Sequence, residues 1–461
     1  NDTSITMETF LKIAAAGMIP TAAGMAVLFL LFRRFPVNLL FSTAIAFGLG
    51  LGLLGQGMLL LGILGIEFNL LTISGALLAM TFVVFFIHNL VKDAAAPALQ
   101  QDVRPQPSTL KEKIIIGSLA LFIGYHIYYV FWRALNVPVS EWDAVSFIAF
   151  NAKVFFYERA LYQPSHLPHA AYPLQVPLMM TWIAVMVGKW HELLVNAFFP
   201  LMFCSYLVIH YSFLRLHTSR PWALAGVALL CSSNFFIFHS TIAYRDFTML
   251  YFHCATILLL LIWHKSRDDS FLLLAGLWAG FTTFIKLEGT MYLVMHTILF
   301  LIICGRLKKF HLKHVTAFLL PAYGTFLFYQ IYKFIGGLST ATQIERFHCD
   351  FTWGQLERIP LFAQRVAENL FFSGNWNIVW VLLFLSLLRG TRSRPSPETV
   401  LSLISLAVFF AFYFFLALLT PNFISLAGAE SPTVLSRIIL HIFPLATIPT
   451  ILLIAPRGHD A

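Results

Sequence analysis

The sequence of 461 residues is short of charge. Asp, Glu, Lys and Arg make up only 11% of it and hydrophobic residues 59%, against about 25% charged and about 45–50% apolar residues in an ordinary soluble domain. That scarcity excludes a water-soluble globular protein. Cysteine is scarce as well: of Cys204, Cys231, Cys254, Cys304 and Cys349, four lie in or at the end of apolar runs and none has metal-ligand spacing. They read as small packing residues. An outer-membrane barrel would show strands of about ten alternating residues, which these apolar runs are not, and no convincing internal repeat is visible. What the chain has is length and oil. It carries 47 Phe, 15 Tyr and 10 Trp, and at about 20 residues per membrane-spanning helix there is room for a dozen or more spans. The expected class is therefore an all-α polytopic protein in a lipid bilayer. Its net charge of +9 would suggest nucleic acid in a soluble protein; here it encodes topology, and no nucleic-acid partner is expected.

Basic clusters punctuate the apolar runs at Arg33–Arg34, Lys92–Lys113, Arg215–Arg220, Lys265–Arg267, Arg306–Lys313, Arg389–Arg394 and Arg457. Placed together on the cytoplasmic side, they give that side 18 basic and 7 acidic residues and leave 12 basic and 14 acidic outside, a split of +11 against −2. One orientation is preferred by the positive-inside rule. It predicts 13 spans near 8–32, 38–63, 70–91, 114–134, 191–214, 222–241, 247–264, 271–287, 289–304, 315–334, 370–388, 400–420 and 436–455. The first run has no basic n-region and is too long for a cleaved signal, so it reads as a retained helix. The run from Tyr172 to Gly188 contains Pro173 and Pro177, and counting it as a span would reverse the Arg215–Arg220 cluster. It is expected to lie along the outer interface or to re-enter. The organisation predicted is an N-terminal three-helix unit at 1–92, a cytoplasmic linker at 93–113, and a core at 114–461 with external segments 136–190 and 335–369. Gly48, Gly50, Gly52, Gly55 and Gly57 in the second run suit close helix packing.

Charge near the membrane is costly, at roughly 2.5–3.5 kcal/mol per group on insertion scales, so the external charges are the informative ones. Glu141-Trp142-Asp143 opens an amphipathic stretch running from Ala144 to Leu161 that includes Phe147 and Lys153. Asp143 reads either as a helix N-cap or as a general base at the membrane surface. Tyr244-Arg245-Asp246 opens a long apolar run, with Asp246 either a cap paired to Arg245 on the surface or a second carboxylate converging with Asp143. Such a pair could orient an acceptor or hold a divalent metal. Lys286-Leu287-Glu288-Gly289 separates two short apolar runs as a hairpin, where Lys286 and Glu288 form a surface pair or a phosphate site. Arg437 and His441, four apart, share a face of the last helix, and Arg437 either snorkels or clamps a phosphate. His166 and His169 carry little signal for metal. The segment 335–369 adds Gln343, Glu345, Arg346, His348, Asp350, Trp353, Glu357 and Arg358.

The order of these features resembles the GT-C superfamily of integral-membrane glycosyltransferases, especially the branch with protein O-mannosyltransferases and the lipid A aminoarabinose transferase. The matching pieces are Trp142-Asp143, Tyr172-Pro173-Leu174, Tyr244-Arg245-Asp246, Gly276-Leu277-Trp278-Ala279-Gly280 leading to Lys286-Leu287-Glu288-Gly289, and Arg437 with Ile438 to Pro444. The resemblance covers about 114–455 and leaves the first three spans as an addition. It implies a GT-C-like core, a polyprenyl-phosphate-linked sugar as donor, a lipid, glycan or protein acceptor, and inverting transfer on the non-cytoplasmic face of a bacterial inner membrane. Asp143 takes the place of the base or metal ligand, with Asp246 as the second acid and Glu141 flanking. Lys286, Arg437, Arg245 and Lys153 are the expected phosphate-binding residues, and Trp142, Tyr172, Glu288 and His441 the expected substrate contacts. The paired acids of many members are here Glu-x-Asp, and their Tyr-Pro-Pro-Leu is here Tyr-Pro-Leu-Gln. Two rivals share the composition. A flippase for a lipid-linked sugar would show repeats and interrupted helices in both halves. An O-antigen-ligase-type enzyme would carry an Arg/His set in its large external loop, as Arg346, His348, Arg358 and Arg365 do.

Overall fold

The computed structural model describes residues 7–32, 37–91, 109–162, 169, 171–308, 310–338, 353–390, 395–420, 423, 427 and 432–456. Among these the protein is helical throughout, with no strand. By length and apolar composition eight helices can cross a membrane: Met7–Phe32, Leu39–Leu64, Leu70–Leu90, Leu110–Asn136, Leu194–Arg215, Arg245–Ser266, Gly289–Leu307 and Pro397–Leu419. A ninth is formed if the bent pair Thr433–Leu440 and Phe443–Ile454 is one span.

Several of the 13 expected spans are interrupted, each for a local reason. The run 222–241 is split into Arg220–Cys231 and Asn234–His239. Ser233 Oγ accepts from Phe236 N at 3.2 Å and so starts a new helix where hydropathy sees a continuous one. The run 271–287 keeps a helix only over Asp269–Thr282, about 21 Å at 1.5 Å per residue, and then turns. In the run 370–388 one helix ends at Phe371 and the next starts at Val379, with Gly374 at φ +75° and Asn377 at φ +49° between them. The last run bends by 53° at His441–Ile442, where Pro444 in the first turn of the second helix supplies no N–H.

The chain divides into two compact units. The first comprises Asn1–Arg104, Ile127–His210 and His239–Leu338, and the second Pro105–His126, Tyr211–Phe238 and Ser339–Ala461. In the first unit the helices are α1 (Met7–Phe32), α2 (Leu39–Leu64), α3 (Leu70–Val91), the end of α4 (Leu110–Asn136), α5 (Ala149–Glu158), α6 (Gln175–Val187) and the start of α7 (Phe198–Arg215). After the short α8 (Arg220–Cys231) and α9 (Asn234–His239), it resumes with α10 (Arg245–Ser266), α11 (Asp269–Thr282), α12 (Gly289–Leu307) and α13 (Leu312–Ile335).

The centre of the first unit is α2. Asn38 caps its start by accepting from Phe41 N, Gly65 ends it at φ +66°, and its apolar residues run all round the helix, the pattern of an enclosed element. Gly50 is required where α1 crosses it, because a Cβ there would lie 1.8 Å from Pro20 O. The first two helices, α1 and α2, are tied into the rest of this unit through their own carbonyls. Trp182 Nε1 donates to Ala16 O at 2.9 Å, Ser205 Oγ to Ala44 O at 2.8 Å, Gln175 Nε2 to Leu51 O at 2.7 Å and Ser270 Oγ to Leu31 O at 3.1 Å. Helix α6, the run that does not fit a span, has 13 residues, about 20 Å. Almost all of it is buried, so it is enclosed by protein rather than laid on an interface.

The second unit contains α14 (Arg358–Phe371), α15 (Val379–Gly390), α16 (Pro397–Leu419), α17 (Pro432–Leu440) and α18 (Phe443–Ile454). A buried polar knot holds its centre: Asn369 and Asn375 both donate to Ser436 Oγ, at 2.7 and 2.9 Å, and Trp376 Nε1 donates to Asn369 Oδ1 at 3.0 Å. Trp376 also packs on Phe443, with ring centroids 5.0 Å apart.

Candidate active site

Most of the charge that the sequence singled out meets at the N-terminus of α10. Asp246, in its first turn, is fully buried, where the positive end of the helix favours a carboxylate. The Lys286 ammonium lies 2.9 Å from Asp246 Oδ1 and 3.1 Å from Glu288 Oε1. Lys286 is brought there by the turn that ends α11: Thr282 and Thr283 donate their hydroxyls back to Ala279 O and Gly280 O, and the chain reverses before α12. Gly289 closes the reversal, since a Cβ would fall 1.9 Å from Thr282 O. The surface Lys–Glu pair and the surface Arg245–Asp246 pair are both replaced by one buried ion cluster. A buried charge needs such company, because desolvation outweighs any single weak contact.

Arg245, the first residue of α10, is only 3% exposed. Its guanidinium carbon sits 4.7 Å from the ring centre of Tyr172 and 5.0 Å from that of Phe147, cation–π contacts with both. Asp143 and Asp246 are near enough to act on its charge. Phe147 comes from a π-helical turn, Ala144–Ile148, that leads into α5. Asp143 precedes that turn without a capping hydrogen bond from its side chain, so the N-cap reading does not describe it. Its backbone N–H donates to Tyr244 Oη at 3.4 Å, beside Arg245.

Tyr172 is pinned from three sides. Tyr329 Oη donates to Ala171 O at 2.9 Å, Gln175 N donates to Phe284 O at 3.0 Å, and Gln175 Nε2 reaches α2. Burial, reinforced by the Glu288 carboxylate, raises the Tyr172 phenol above its ordinary range and keeps it protonated. The His169 ring packs against both Phe147 and Tyr172.

The other expected site residues are placed elsewhere. Glu141 pairs with Arg133 at 3.6 Å, and Arg133 donates to Thr241 Oγ1 at 2.8 Å, so this carboxylate fastens the end of α4. Trp142 is 80% exposed. Lys153 pairs with Glu192 at 3.3 Å, both about half exposed. Arg437 and His441 belong to the second unit; α17 ends at Leu440, so His441 lies buried in the bend and the two do not share one helix face. Arg358 is engaged in the second unit by the carbonyls of Leu418 and Thr420, both at 2.8 Å. His166, Gln343, Glu345, Arg346, His348, Cys349 and Asp350 lie outside the described residues.

Phe147, Gln175 and Tyr329 become visible as parts of the site only in three dimensions. Apolar residues at three- and four-residue spacing flagged Phe147 only as part of a helix face, and nothing in the sequence distinguishes Tyr329 from its neighbours. Among the described residues no group of three or more His, Cys, Asp or Glu converges as metal ligands. The Lys286 ammonium occupies Asp246 Oδ1, which does not fit a divalent ion shared by Asp143 and Asp246.

No known family model matches the chain. No curated protein matches it in sequence.

Proposed function

We propose that the protein is an inverting glycosyltransferase of GT-C type, moving one sugar from a polyprenyl-phosphate donor to an acceptor hydroxyl on a lipid, glycan or protein. The single observation that carries this reading is the buried cluster at the start of α10. There two cations, Arg245 and Lys286, and three carboxylates, Asp143, Asp246 and Glu288, gather around aromatic side chains in a protein made almost wholly of apolar helices. Ionisable groups are kept in such surroundings at a cost and mark chemistry or transport. The finer topology belongs to the same proposal: about 13 passes, a GT-C-like core within 114–461, basic loops in the cytoplasm, and the cluster facing the periplasm of a bacterial inner membrane.

In the reaction, the Asp143 carboxylate takes the proton of the acceptor hydroxyl while its oxygen attacks the anomeric carbon. The bond from that carbon to the phosphate oxygen breaks on the opposite face, and the electron pair leaves with the lipid phosphate. Preorganised positive charge in a water-poor site stabilises that leaving group. Asp246 and Glu288 hold Lys286 in place, Glu288 also facing the sugar.

The bent pair α17–α18 is the observation that favours the rival reading, a transporter of a lipid-linked sugar. One experiment separates the two. Purified protein is supplied with a polyprenyl-phosphate sugar and a set of acceptors, and sugar transfer is followed by mass spectrometry. Asp143→Asn is expected to slow transfer by about 10²–10⁴-fold, the usual contribution of a general base, with the fold retained. Full turnover in the variant removes Asp143 from the mechanism, and translocation without transfer by the wild type selects the transporter.

A further inference from the structure

Of the two cations in the cluster, Arg245 is the one with a buried edge that meets no acceptor among the described residues. Lys286 is already met by two carboxylates. Arg245 Nε and Nη2 are buried and have no hydrogen-bond partner among the described residues. These two nitrogens form one edge of the planar guanidinium, and their N–H bonds run parallel. That edge is the two-pronged donor which matches a pair of oxygens on a phosphate or carboxylate. Nearly all buried polar groups in proteins are satisfied, and an orphan calls for an explanation. The rings of Tyr172 and Phe147 face the charge but cannot accept these two in-plane hydrogens. Position adds a second argument: Arg245 is the first residue of a 22-residue helix, and its N-cap, Tyr244, makes no side-chain capping bond. The side chain therefore springs from the end of the helix where the dipole is positive and anions are favoured.

We propose that the Nε–Nη2 edge of Arg245 is an anion fork that binds two oxygens of a phosphate ester, with Phe147 and Tyr172 steering the guanidinium. The assignment rests on the transferase reading for which phosphate is meant, the donor's, and makes Arg245 rather than Lys286 its primary ligand. Lys286 then acts at a distance, holding Asp246 and Glu288 so that they do not neutralise Arg245. Both nitrogens are closed off from solvent in this state. An anion reaches them as neighbouring side chains give way, and Phe147 and Tyr172 are the neighbours in ring contact with the guanidinium.

The test uses the full chain in detergent, labelled with ¹⁵N-arginine, and titrated separately with a short-chain prenyl monophosphate, with inorganic phosphate and with the parent prenyl alcohol. One Nε–H resonance, identified by its absence in Arg245→Lys, is expected to move with phosphate and to stay still with the alcohol. A shift with the prenyl phosphate alone assigns a lipid headgroup; a shift with both assigns the phosphate group itself. By calorimetry Arg245→Gln is expected to weaken prenyl phosphate binding at least tenfold, and Arg245→Lys is expected not to restore it, because one ammonium cannot offer two parallel donors. A still resonance together with undiminished affinity in Arg245→Gln overturns the fork. If that variant does not fold, Tyr172→Leu, which removes one ring from the cation, and the wild-type titration carry the decision. The two readings fail separately. Phosphate binding at Arg245 with no sugar transfer retains the fork and removes the transferase, whereas undiminished sugar transfer in Arg245→Gln removes the fork alone.

Discussion

Lys286 sits between Asp246 and Glu288 with 9% of its side chain exposed, and that arrangement makes stability and activity separable. Removing one member of a buried ion pair leaves an uncompensated charge and typically costs about 3–5 kcal/mol, whereas replacing the whole pair with apolar residues of similar volume is often neutral or better. Lys286→Met is therefore expected to lower thermal stability sharply. The triple variant Lys286→Met/Asp246→Leu/Glu288→Gln, which leaves no carboxylate of the cluster unpaired, is expected to recover most of the loss while remaining inactive in sugar transfer, as followed by a melting curve and the transfer assay on the same preparations. Recovery of transfer along with stability would make the cluster structural. The sequence made each of these residues conspicuous, because a Lys or an Asp beside apolar runs is expensive to keep. It did not pair them: Asp246 and Lys286 are 40 positions apart, and only the reversal between α11 and α12 brings them together. Arg245 was visible as a charge, but its idle edge was not, since an absent hydrogen bond has no sequence signature.

Elements tell a similar story through their ends. Hydropathy found the apolar segments, and the long uninterrupted ones, α1 to α3 and α10, stand nearly where the pattern put them. It missed the breaks at Ser232–Ser233, Thr282–Thr283 and 372–378, because hydroxyl capping and left-handed residues interrupt a helix without making it less oily. The glycines of α2 were legible as a packing motif, and the structure shows which of them sets a distance. Gly50→Ala is expected to force α1 and α2 apart at Pro20 and to destabilise the protein by about 1–3 kcal/mol, the usual cost of overpacking. Gly75→Ala in α3, where a Cβ meets nothing within 4 Å, is expected to be neutral or to stabilise by up to about 1 kcal/mol through helix propensity. Paired melting curves check the contrast, and equal shifts for the two variants would refute close approach at Gly50.

For the molecule as a whole, the open question is what the first three helices are for. The resemblance makes residues 1–92 an addition to a core that begins near 114. Within the first unit, however, α1 and α2 accept side-chain hydrogen bonds from Trp182, Gln175, Ser205 and Ser270. Gln175 is the pivotal one, since its backbone N–H also holds Phe284 and it follows Tyr172 by three residues. Removing α2 would leave a buried amide side chain without its acceptor, strip the cover from α6, and loosen the segment that presents Tyr172 to Arg245. A chain starting at residue 93 is thus expected to fail to fold or to aggregate in detergent. Residues 1–92 and 93–461 made together as two chains are expected to co-purify and to restore whatever activity the intact protein shows, because the ties between them are noncovalent and spread over five helices, α1 and α2 on one side and α6, α7 and α11 on the other. Size-exclusion chromatography of the shortened chain, alone and with its missing piece, decides the matter: a monodisperse, active 93–461 fragment would show that these helices are an accessory after all.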